Sequence, residues 1–344
     1  MGQRYPFSAF PNGWFVVATS EELQPKNAVP LHYFGRELVL FRTESGVAHL
    51  LDAYCPHLGA HLGYGGKVVG ECVRCPFHAW SFDGAGTCTE VPYAKKIPPR
   101  ARIHPWTVRE QNGLILAYHH ADGQAPSHEL PLLPEHGSEE WTPFQQQRWK
   151  VRMHCQEVGE NAADVAHQRF LHLTGAVPEV LEFRDAGPVF ELRTKMPGMR
   201  THVTMYGLGA EVFRGRLHLS TRPPSGVNGE NEANGEKTPT GPVDCLDAIF
   251  TTPIDEDFVD MRHIFSVKRC ATEEETAVAE SSWIKTAADG VADDIRIWER
   301  KAYRQPPMLC DGDGPIGQFR RWARQFYSNE ESHERNRSAF LQPV

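Results

Sequence analysis

Apolar and polar positions alternate in short runs along the first third of the chain, which is the period-two pattern of half-buried β-strands. Turns rich in Gly and Glu separate these runs. The strands are expected at 14–17, 29–34, 38–42, 47–51 and 113–118. The pattern therefore predicts a small all-β domain over residues 10–120.

Residues 121–146 are rich in Pro, Gly, His and Glu and have no sustained period, which is typical of a linker. Beyond them a strand at 149–154 leads into a helix that opens near Glu157. Two more helical periods cover 281–303 and 316–327. Further strands are expected at 190–194, 202–206, 215–219, 246–251 and 261–267. Residues 147–344 therefore predict a second domain, in which a twisted antiparallel sheet wraps long helices, and the fold class is α+β.

Composition and charge narrow the function classes. The 344 residues are 40% hydrophobic and carry a net charge of −8, so the chain is not built to bind nucleic acid or an anionic membrane. No stretch approaches the roughly 20 apolar residues of a membrane span, and the N-terminus has no apolar signal core. Eight scattered cysteines without a disulfide pattern predict a cytoplasmic protein. The polar segment 223–242 predicts a mobile surface excursion or a disordered segment.

Two Cys-His pairs carry the first candidate chemistry, Cys55-Pro-His57 and Cys75-Pro-Phe-His78, with 17 residues between His57 and Cys75. Each pair lies in a tight loop that contains Pro. Two thiolates and two neutral imidazoles suit a [2Fe–2S] cluster in which the thiolates bind one iron and the imidazoles bind the other. Imidazole ligation raises the reduction potential, so such a cluster accepts an electron and passes it on.

A zinc site is the alternative, because Cys72 and Cys75 form a C-x-x-C motif that Cys55 and Cys88 could complete. A zinc ribbon usually has two close Cys pairs, however, and neither Cys55 nor Cys88 has a Cys neighbour. Cys72 also lies in the apolar-rich run 68–73, which predicts a strand. The iron–sulfur interpretation is therefore preferred.

The first helix of the second domain carries another group of polar residues, Asn161, Asp164, His167 and His172. Asp164 and His167 are three residues apart, which places both on one face of a helix. His172 can converge with His167 if the helix bends or ends near Phe170. A carboxylate beside two histidines is typical of a metal site, although either His alone is better explained by a core or surface position.

These two motifs, in this order, resemble those of the Rieske non-haem iron oxygenases. The resemblance implies an N-terminal Rieske [2Fe–2S] domain bound through the two Cys-His pairs, and a helix-grip catalytic domain with one mononuclear Fe(II). The motif Asn161-x-x-Asp164-x-x-His167-x-x-x-x-His172 resembles the iron motif of the second domain. In that family the aspartate before the first iron histidine is the electron bridge, which here is Asp164.

The resemblance also implies that the third iron ligand comes from a late helix, where the chain offers Asp293 and Asp294. An Asp-x-x-x-x-Glu pattern similar to that of the steroid-ring hydroxylases, ending here at Glu299, points to Asp294. Adjacent helical residues face directions about 100° apart, so only one aspartate reaches inward, and Asp293 is the alternative. Asp311 or Asp313 remains if both are solvated.

By the same resemblance, a separate reductase or ferredoxin delivers electrons from NAD(P)H to the cluster, which reduces the mononuclear iron for reaction with O2. Family oxygenases form head-to-tail homotrimers that set one subunit's cluster beside its neighbour's iron. Asp164 would then accept hydrogen bonds from His167 of its own subunit and from His78 of the partner subunit. A docking face for the electron donor is one interpretation of the basic residues near the cluster loops, and a solvated rim is the other. They are Lys67, Arg74, Lys95, Lys96, Arg100 and Arg102.

Several segments outside the metal motifs resemble the oxygenase component of 3-ketosteroid 9α-hydroxylase and the sterol 7-desaturases. They imply hydroxylation or desaturation of a bulky apolar polycycle in a pocket lined mainly by aliphatic and aromatic side chains. A tailoring oxygenase of secondary metabolism and a Rieske electron-transfer protein without oxygenase activity are the alternatives. The segments are 29–36, 51–63, 252–257, 297–303 and 309–316.

Overall fold

The computed structural model describes residues 4–218 and 241–328, which form two compact units. The N-terminal unit comprises Ala9–Leu132, Thr252–Asp257 and residue 328, and the C-terminal unit comprises 4–8, 133–251 and Phe258–Tyr327. The chain passes from the N-terminal to the C-terminal unit between Leu132 and Leu133, inside the predicted linker 121–146. All but the last two residues of the predicted excursion 223–242 lie outside the described ranges.

The N-terminal unit is built from two antiparallel sheets. A six-stranded sheet has the order β1-β10-β9-β4-β3-β2, and a four-stranded sheet has the order β5-β6-β7-β8. The apolar faces of these short strands form its cores. The strands are β1 (Gly13–Thr19), β2 (Ala28–Tyr33), β3 (Arg36–Arg42), β4 (Ala48–Asp52), β5 (Lys67–Val69), β6 (Cys72–Arg74), β7 (Ser81–Asp83), β8 (Cys88–Glu90), β9 (Pro105–Gln111) and β10 (Leu114–His119).

One predicted strand of this unit is wrong. The run 68–73 is not a single strand but a hairpin, in which β5 ends at Val69 and β6 begins at Cys72. Gly70 makes the turn with a φ of +58°, a conformation that a residue without a Cβ adopts without steric cost. This hairpin brings the chain back toward the second Cys-His loop, which follows β6 directly.

The C-terminal unit consists of one seven-stranded sheet with helices, in the strand order β11-β17-β16-β15-β14-β13-β12. Its strands are β11 (Gln145–Val151), β12 (Glu179–Ala186), β13 (Val189–Met196), β14 (Met199–Tyr206), β15 (Ala210–Leu217), β16 (Val243–Pro253) and β17 (Val259–Val267). The helices are α1 (Gln156–Ala163), α2 (His167–Phe170), α3 (Glu273–Trp298) and α4 (Ile316–Ala323). No helix within residues 4–218 and 241–328 has both the length and the apolar character required to cross a lipid bilayer.

The long helix α3 begins eight residues before the predicted start at residue 281. Thr272 is its N-cap, and the Thr272 hydroxyl accepts the backbone N–H of Glu275 at 3.1 Å. This Thr-x-x-Glu spacing is a helix start signal that the apolar period alone does not reveal. Trp283 fixes the helix on the sheet, because its ring stacks on Phe213 at 5.5 Å and its indole N–H donates to the Leu246 carbonyl at 3.0 Å.

Buried ion pairs fix the short helix α1. The guanidinium of Arg320, on α4, donates two hydrogen bonds of 2.6 and 2.7 Å to the Glu160 carboxylate. Lys301 is paired with Glu157, one turn earlier on α1. Glu157 and Glu160 are both buried, so each depends on its cation for compensation. These pairs hold the helix that carries Asn161.

We expect Arg320→Met to lower the free energy of unfolding by about 3 kcal/mol, because it leaves the buried Glu160 carboxylate without its bidentate partner. Urea titration of the full-length protein measures the difference. Arg321→Met is the matched control, since Arg321 is the next residue on α4 and is exposed. Its expected effect is within about 0.5 kcal/mol. Equal losses in the two variants would contradict a specific contribution from the ion pair.

Candidate metal centres

The two Cys-His loops of the N-terminal unit have the same backbone design. In the first, the Cys55 amide donates to the Ala60 carbonyl and the Gly59 amide donates to the Cys55 carbonyl, both at 2.9 Å. In the second, Cys75 and Trp80 form the equivalent bond at 2.8 Å, and the Ala79 amide donates to the Cys75 carbonyl at 3.1 Å. Gly59 and Ala79 both adopt positive φ, +74° and +59°. The two loops therefore hold their Cys and His side chains on equivalent backbone conformations.

The four donor side chains of these loops form two pairs. The thiol of Cys55 is within hydrogen-bonding reach of Cys75, and the rings of His57 and His78 lie 4.7 Å apart. Among the described residues, no three of these donor atoms lie within 4.8 Å of one another. Such a set does not close around a single ion, but it does fit two iron atoms, one held by the thiols and one by the imidazoles.

Burial supports the same assignment. Nδ1 of His78 is buried and has no hydrogen-bond partner among the described residues, which leaves it available to a metal. Burial raises the pKa of the Cys55 thiol to about 11, so the thiolate requires a compensating cation. The His57 ring stacks on Trp80 at 4.6 Å, and the Trp80 indole N–H donates to the Tyr93 hydroxyl at 2.8 Å. These contacts hold the imidazole in position.

The two other cysteines of the zinc alternative have different neighbours. Cys72 lies on β6, where its sulfur is 3.3 Å from the Thr89 hydroxyl, and Cys88 lies on β8 with its sulfur 3.5 Å from the Glu90 carbonyl. Within the described parts of the chain, the four cysteines do not form a group with sulfur atoms within 4.8 Å of one another. The geometry does not favour a four-Cys zinc site.

The helix that carries the second motif is broken. The sequence predicts that Asp164 and His167 share a face of one helix, but α1 ends at Ala163 and α2 begins only at His167. Asp164 is the C-cap of α1, with a ψ of +85° that leaves the helical region. The short α2 then ends at Phe170, as expected, and the chain turns so that His172 faces His167, with 5.0 Å between the ring centroids.

Three predicted iron ligands converge in the C-terminal unit. Ring nitrogens of His167 and His172 and a carboxylate oxygen of Asp294, on α3, all lie within 4.8 Å of one another. His172 Nε2 is 3.4 Å from Asp294 Oδ1. Two buried atoms of the group, His172 Nδ1 and Asp294 Oδ1, have no hydrogen-bond partner in the described structure. Two imidazoles and one carboxylate are the donor set of a facial triad for non-haem iron.

Asn161 connects the members of this group. Its side-chain amide donates to Asp294 Oδ2 at 3.2 Å and lies 3.3 Å from His167 Nε2. Burial is the main cause that lowers the pKa of His167, so this imidazole stays neutral and its nitrogen remains a metal donor. Asn161 thus orients the Asp294 carboxylate through Oδ2 and leaves Oδ1 available as a metal ligand.

Asp293 and Asp294 have opposite environments. Asp294 is buried within the group of donors, whereas the Asp293 carboxylate is paired with Arg296 on the same helix. Asp313, another alternative, accepts the backbone N–H of Cys310 at 2.7 Å, and Asp311 is exposed. Of the four aspartates considered, the structure brings only Asp294 to the two histidines.

Asp164 lies beside the group in a different way from that predicted. Its carboxylate Oδ1 accepts the backbone N–H of His167 at 3.3 Å, and its main-chain carbonyl is hydrogen-bonded to the His167 ring Nδ1. The expected bond from the ring to the carboxylate is therefore replaced by one to the carbonyl of the same residue. Burial is the main cause that raises the pKa of Asp164.

Known families match both parts of the chain. The family described as "Rieske [2Fe-2S] domain" matches residues 13–105. The family described as "3-Ketosteroid 9alpha-hydroxylase C-terminal domain" matches residues 117–327, which is more than half of the chain.

Relatives with these domains span nearly the whole chain. Cholesterol 7-desaturase of Caenorhabditis elegans is 31% identical over 93% of this chain and 77% of its own length. Cholesterol 7-desaturase nvd of Xenopus laevis is 30% identical over 93% of this chain and 72% of its own length. The oxygenase component of 3-ketosteroid-9-alpha-monooxygenase from Rhodococcus rhodochrous is 29% identical over 92% and 83%, respectively.

Solved structures with low sequence identity share the fold. NdmA of Pseudomonas putida CBB5, as its QL mutant with theobromine, aligns with a TM-score of 0.74 at 19% identity and covers 97% of this chain and 96% of that chain. Dicamba monooxygenase bound to dicamba aligns with a TM-score of 0.69 at 18% identity, covering 92% and 96%. This likeness confirms the predicted α+β fold.

The fold and the two groups of metal donors define a Rieske-type non-haem iron oxygenase, with a [2Fe–2S] cluster in its N-terminal domain. Within that class, the chain belongs to the family of the 3-ketosteroid 9α-hydroxylase oxygenase components and the cholesterol 7-desaturases. The family resemblance predicted from the sequence is thereby confirmed. The relatives are named as oxygenase components and desaturases, which does not support the alternative of an electron-transfer protein without oxygenase activity. An oxygenase component implies a reductase partner.

Proposed function

We propose that this oxygenase component uses O2 and electrons from NAD(P)H, delivered by a separate reductase, to hydroxylate or desaturate a bulky apolar polycycle of the steroid type. The observation that carries the proposal is the convergence of His167, His172 and Asp294 in a chain that also has a Rieske domain. The substrate class rests on relatives named for the 9α-oxygenation of 3-ketosteroids and the 7-desaturation of cholesterol.

The proposed ligands of the [2Fe–2S] cluster are Cys55, His57, Cys75 and His78, and those of the mononuclear Fe(II) are His167, His172 and Asp294. Iron held by the second group would supply the activation of O2. The chain's own residues hold the donors: Asn161 fixes Asp294 through the 3.2 Å hydrogen bond to Oδ2.

A head-to-tail homotrimer belongs to the same proposal. Apolar side chains that are more than half exposed lie in or next to both metal-binding segments: Leu58 and Phe77 in the cluster loops, and Phe170 and Leu173 beside the iron histidines. Isolated exposed apolar residues are ordinary, but two such groups at the two redox sites fit a contact between copies of the chain. Repeated around a ring, this heterologous contact closes with threefold symmetry.

Electron delivery requires a docking surface, which we propose includes the lysines that follow β8. Lys95, Lys96, Arg100 and Arg102 are exposed, whereas Arg74 is paired with Glu90 at 2.9 Å and is less available to a partner. An acidic ferredoxin or reductase domain is the chemistry that complements such a surface.

Charge reversal tests this surface. We expect the double variant Lys95→Glu/Lys96→Glu to slow reduction of the cluster by the donor protein roughly tenfold at low salt, with the difference fading as salt screens the charges. Stopped-flow absorbance of the cluster gives the rate. Reversal of Lys268 and Lys285, exposed lysines of the C-terminal unit, is the control. An unchanged rate at low salt in the Lys95/Lys96 variant would rule out docking there.

Product analysis tests the function itself. The protein is reconstituted with iron, sulfide and a reductase and incubated with a panel of steroids and other fused-ring compounds, and mass spectrometry then identifies oxygenated or desaturated products. We expect turnover of at least one steroid. Turnover only of small polar aromatic compounds would contradict the substrate class.

We further propose a cytoplasmic location, because all eight cysteines are free of disulfides and such thiols suit a reducing compartment.

A further inference from the structure

The first described residues of the chain, 4–8, belong to the C-terminal unit, although the residues that follow them directly belong to the N-terminal unit. We call residues 4–8 the N-terminal strap. The strap contacts the end of α3 and the entry to α1, the two helices that carry Asp294 and Asn161. It lies outside both metal-binding motifs, yet it connects two elements of the proposed iron site.

At one end of the strap, Arg4 binds the last turn of α3. Its guanidinium donates to the carbonyl of Trp298, the last residue of α3, and to the carbonyl of Lys301 at 3.0 Å. It also donates at 2.8 Å to the carbonyl of Arg152, on the segment that leads to α1. The last carbonyls of a helix have no partner within the helix, and a cation there also complements the helix dipole. Because Lys301 in turn pairs with Glu157 of α1, this end of the strap connects α3 with α1.

At its other end, the strap binds the entry to α1. The buried His154 ring uses Nδ1 to accept the backbone N–H of Gln156, the first residue of α1, at 3.0 Å. The ring proton therefore lies on Nε2, which donates to the carbonyl of Ser8 at 2.9 Å. Burial lowers the pKa of His154 to about 4, so the ring stays neutral and keeps both hydrogen bonds at neutral pH.

Aromatic side chains fix the strap between these two ends. Tyr5 is buried, and its ring lies 5.7 Å from Tyr303 and 5.2 Å from His154. Phe7 contacts the same two rings edge-on, at 5.1 and 4.9 Å, and lies 5.0 Å from Tyr327. Edge-on contacts are favourable because the positive edge of one ring meets the negative face of the other. The strap is thus held along its length and not only at its polar ends.

Both ends of the strap are close to the iron site along the helices. Asp294 precedes Trp298 by four residues, which is about one turn of α3. Asn161 follows Gln156 by five residues, or about 7.5 Å along α1. At the site itself, the 3.2 Å hydrogen bond from Asn161 to Asp294 Oδ2 joins the same two helices. The position of the carboxylate therefore depends on the spacing of α1 and α3.

We propose that the N-terminal strap sets this spacing and thereby positions Asp294 for the metal, with Arg4 as its main positioning residue. The proposal rests on the proposed function, because it takes His167, His172 and Asp294 as the ligand set. Residues that orient a metal ligand without binding the metal change metal affinity roughly 10- to 100-fold. Loss of the strap contacts should therefore weaken metal binding at this site and leave the Rieske cluster unchanged.

Binding of Co(II) tests the strap with the cluster in place. The full-length protein carries its oxidised Rieske cluster, which is diamagnetic, and a chelator removes the mononuclear metal. Calorimetric titration with cobalt chloride gives the dissociation constant, and the electron paramagnetic resonance of the bound Co(II) reports the geometry of its ligands. For the wild type we expect one Co(II) per chain, and Asp294→Asn should abolish this binding.

The variant Arg4→Met is expected to raise the dissociation constant of Co(II) roughly tenfold and to shift the g values of the bound ion, because α3 loses its cap one turn from Asp294. The g values of the reduced Rieske cluster should stay the same. Arg4→Lys should restore part of the affinity, since an ammonium group can still donate to the carbonyls at the end of α3.

The matched control is Arg300→Met, because Arg300 is exposed and its 3.1 Å hydrogen bond goes to the carbonyl of Arg296 on α3 itself. Its dissociation constant for Co(II) should stay within about twofold of the wild-type value. If Arg4→Met does not fold, Phe7→Leu gives the same comparison, since it removes the edge-on ring contacts and keeps an apolar side chain. It should raise the dissociation constant roughly threefold.

An unchanged dissociation constant and Co(II) spectrum in the folded strap variants, or equal losses in Arg4→Met and Arg300→Met, would overturn the role of the strap and leave the ligand set intact. If the wild type binds no Co(II) that Asp294→Asn removes, the ligand set itself fails. The proposed function and the role of the strap then fail together.

Discussion

The variant Asp294→Asn is expected to lose its mononuclear iron and to turn over substrate about a thousandfold more slowly than the wild type. Loss of a group that only supports a metal ligand lowers metal affinity or activity roughly 10- to 100-fold. Loss of a ligand should cost more, and Asp294 is the only carboxylate in the group of donors formed with His167 and His172. The protein should still fold, because the substitution neutralises a buried carboxylate and preserves its shape. Its reduced Rieske signal in electron paramagnetic resonance should be that of the wild type.

The matched control for this variant is Asp293→Asn, one residue earlier on the same helix. Asp293 is paired with Arg296 on the surface, so its replacement should leave both iron content and turnover unchanged. Full activity in Asp294→Asn, or a loss of iron in Asp293→Asn, would show that the third ligand has been assigned to the wrong residue.

The variant Asp164→Ala is expected to retain all of its iron but to slow turnover roughly 100-fold, because electrons would no longer pass efficiently from the cluster to the mononuclear site. Asp164 caps α1 and bonds to His167 through both its carboxylate and its main-chain carbonyl. The carbonyl contact survives in the variant, so the His167 ring should keep its orientation, and iron binding should persist. The loss is then one of electron transfer.

Single-turnover measurements separate this role from a structural one. With the cluster reduced beforehand and substrate and O2 supplied, its reoxidation should be slow in Asp164→Ala and normal in Asp185→Ala, which removes an exposed carboxylate from β12. Reoxidation at the wild-type rate in Asp164→Ala would contradict the bridge. A loss of iron in that variant would instead indicate a structural role.

The Cys-His pairs stand out in the sequence because His57 follows Cys55 by two residues and His78 follows Cys75 by three. The pairing of Cys55 with His57 and of Cys75 with His78 follows from two tight loops. Asp294 follows from the sequence only through the resemblance of 294–299 to the family pattern. In the structure it lies three residues after Val291 and four before Trp298, both of which belong to the buried stripe on the inner face of α3. Asp293 falls outside that stripe.

Other features depended on contacts that are distant along the chain. The break at Asp164 has no Pro or Gly to signal it, and it follows from the tertiary placement of α1 and α2. All nine residues of β17 are buried, so the strand has no polar face by which His263 can be recognised as pointing inward. Only the pairing of β17 with β16 brings His263 Nδ1 to within 2.9 Å of Asp247 Oδ2.

The most direct test of two iron centres in one chain is the iron and acid-labile sulfide content of the anaerobically reconstituted protein, compared with that of the double variant His167→Ala/His172→Ala. We expect roughly three iron atoms and two sulfide ions per chain in the wild type, and roughly two of each in the variant, which should keep an intact Rieske signal. Equal iron content in the two proteins would contradict a mononuclear centre at these histidines, and with it the proposed site of oxygen chemistry.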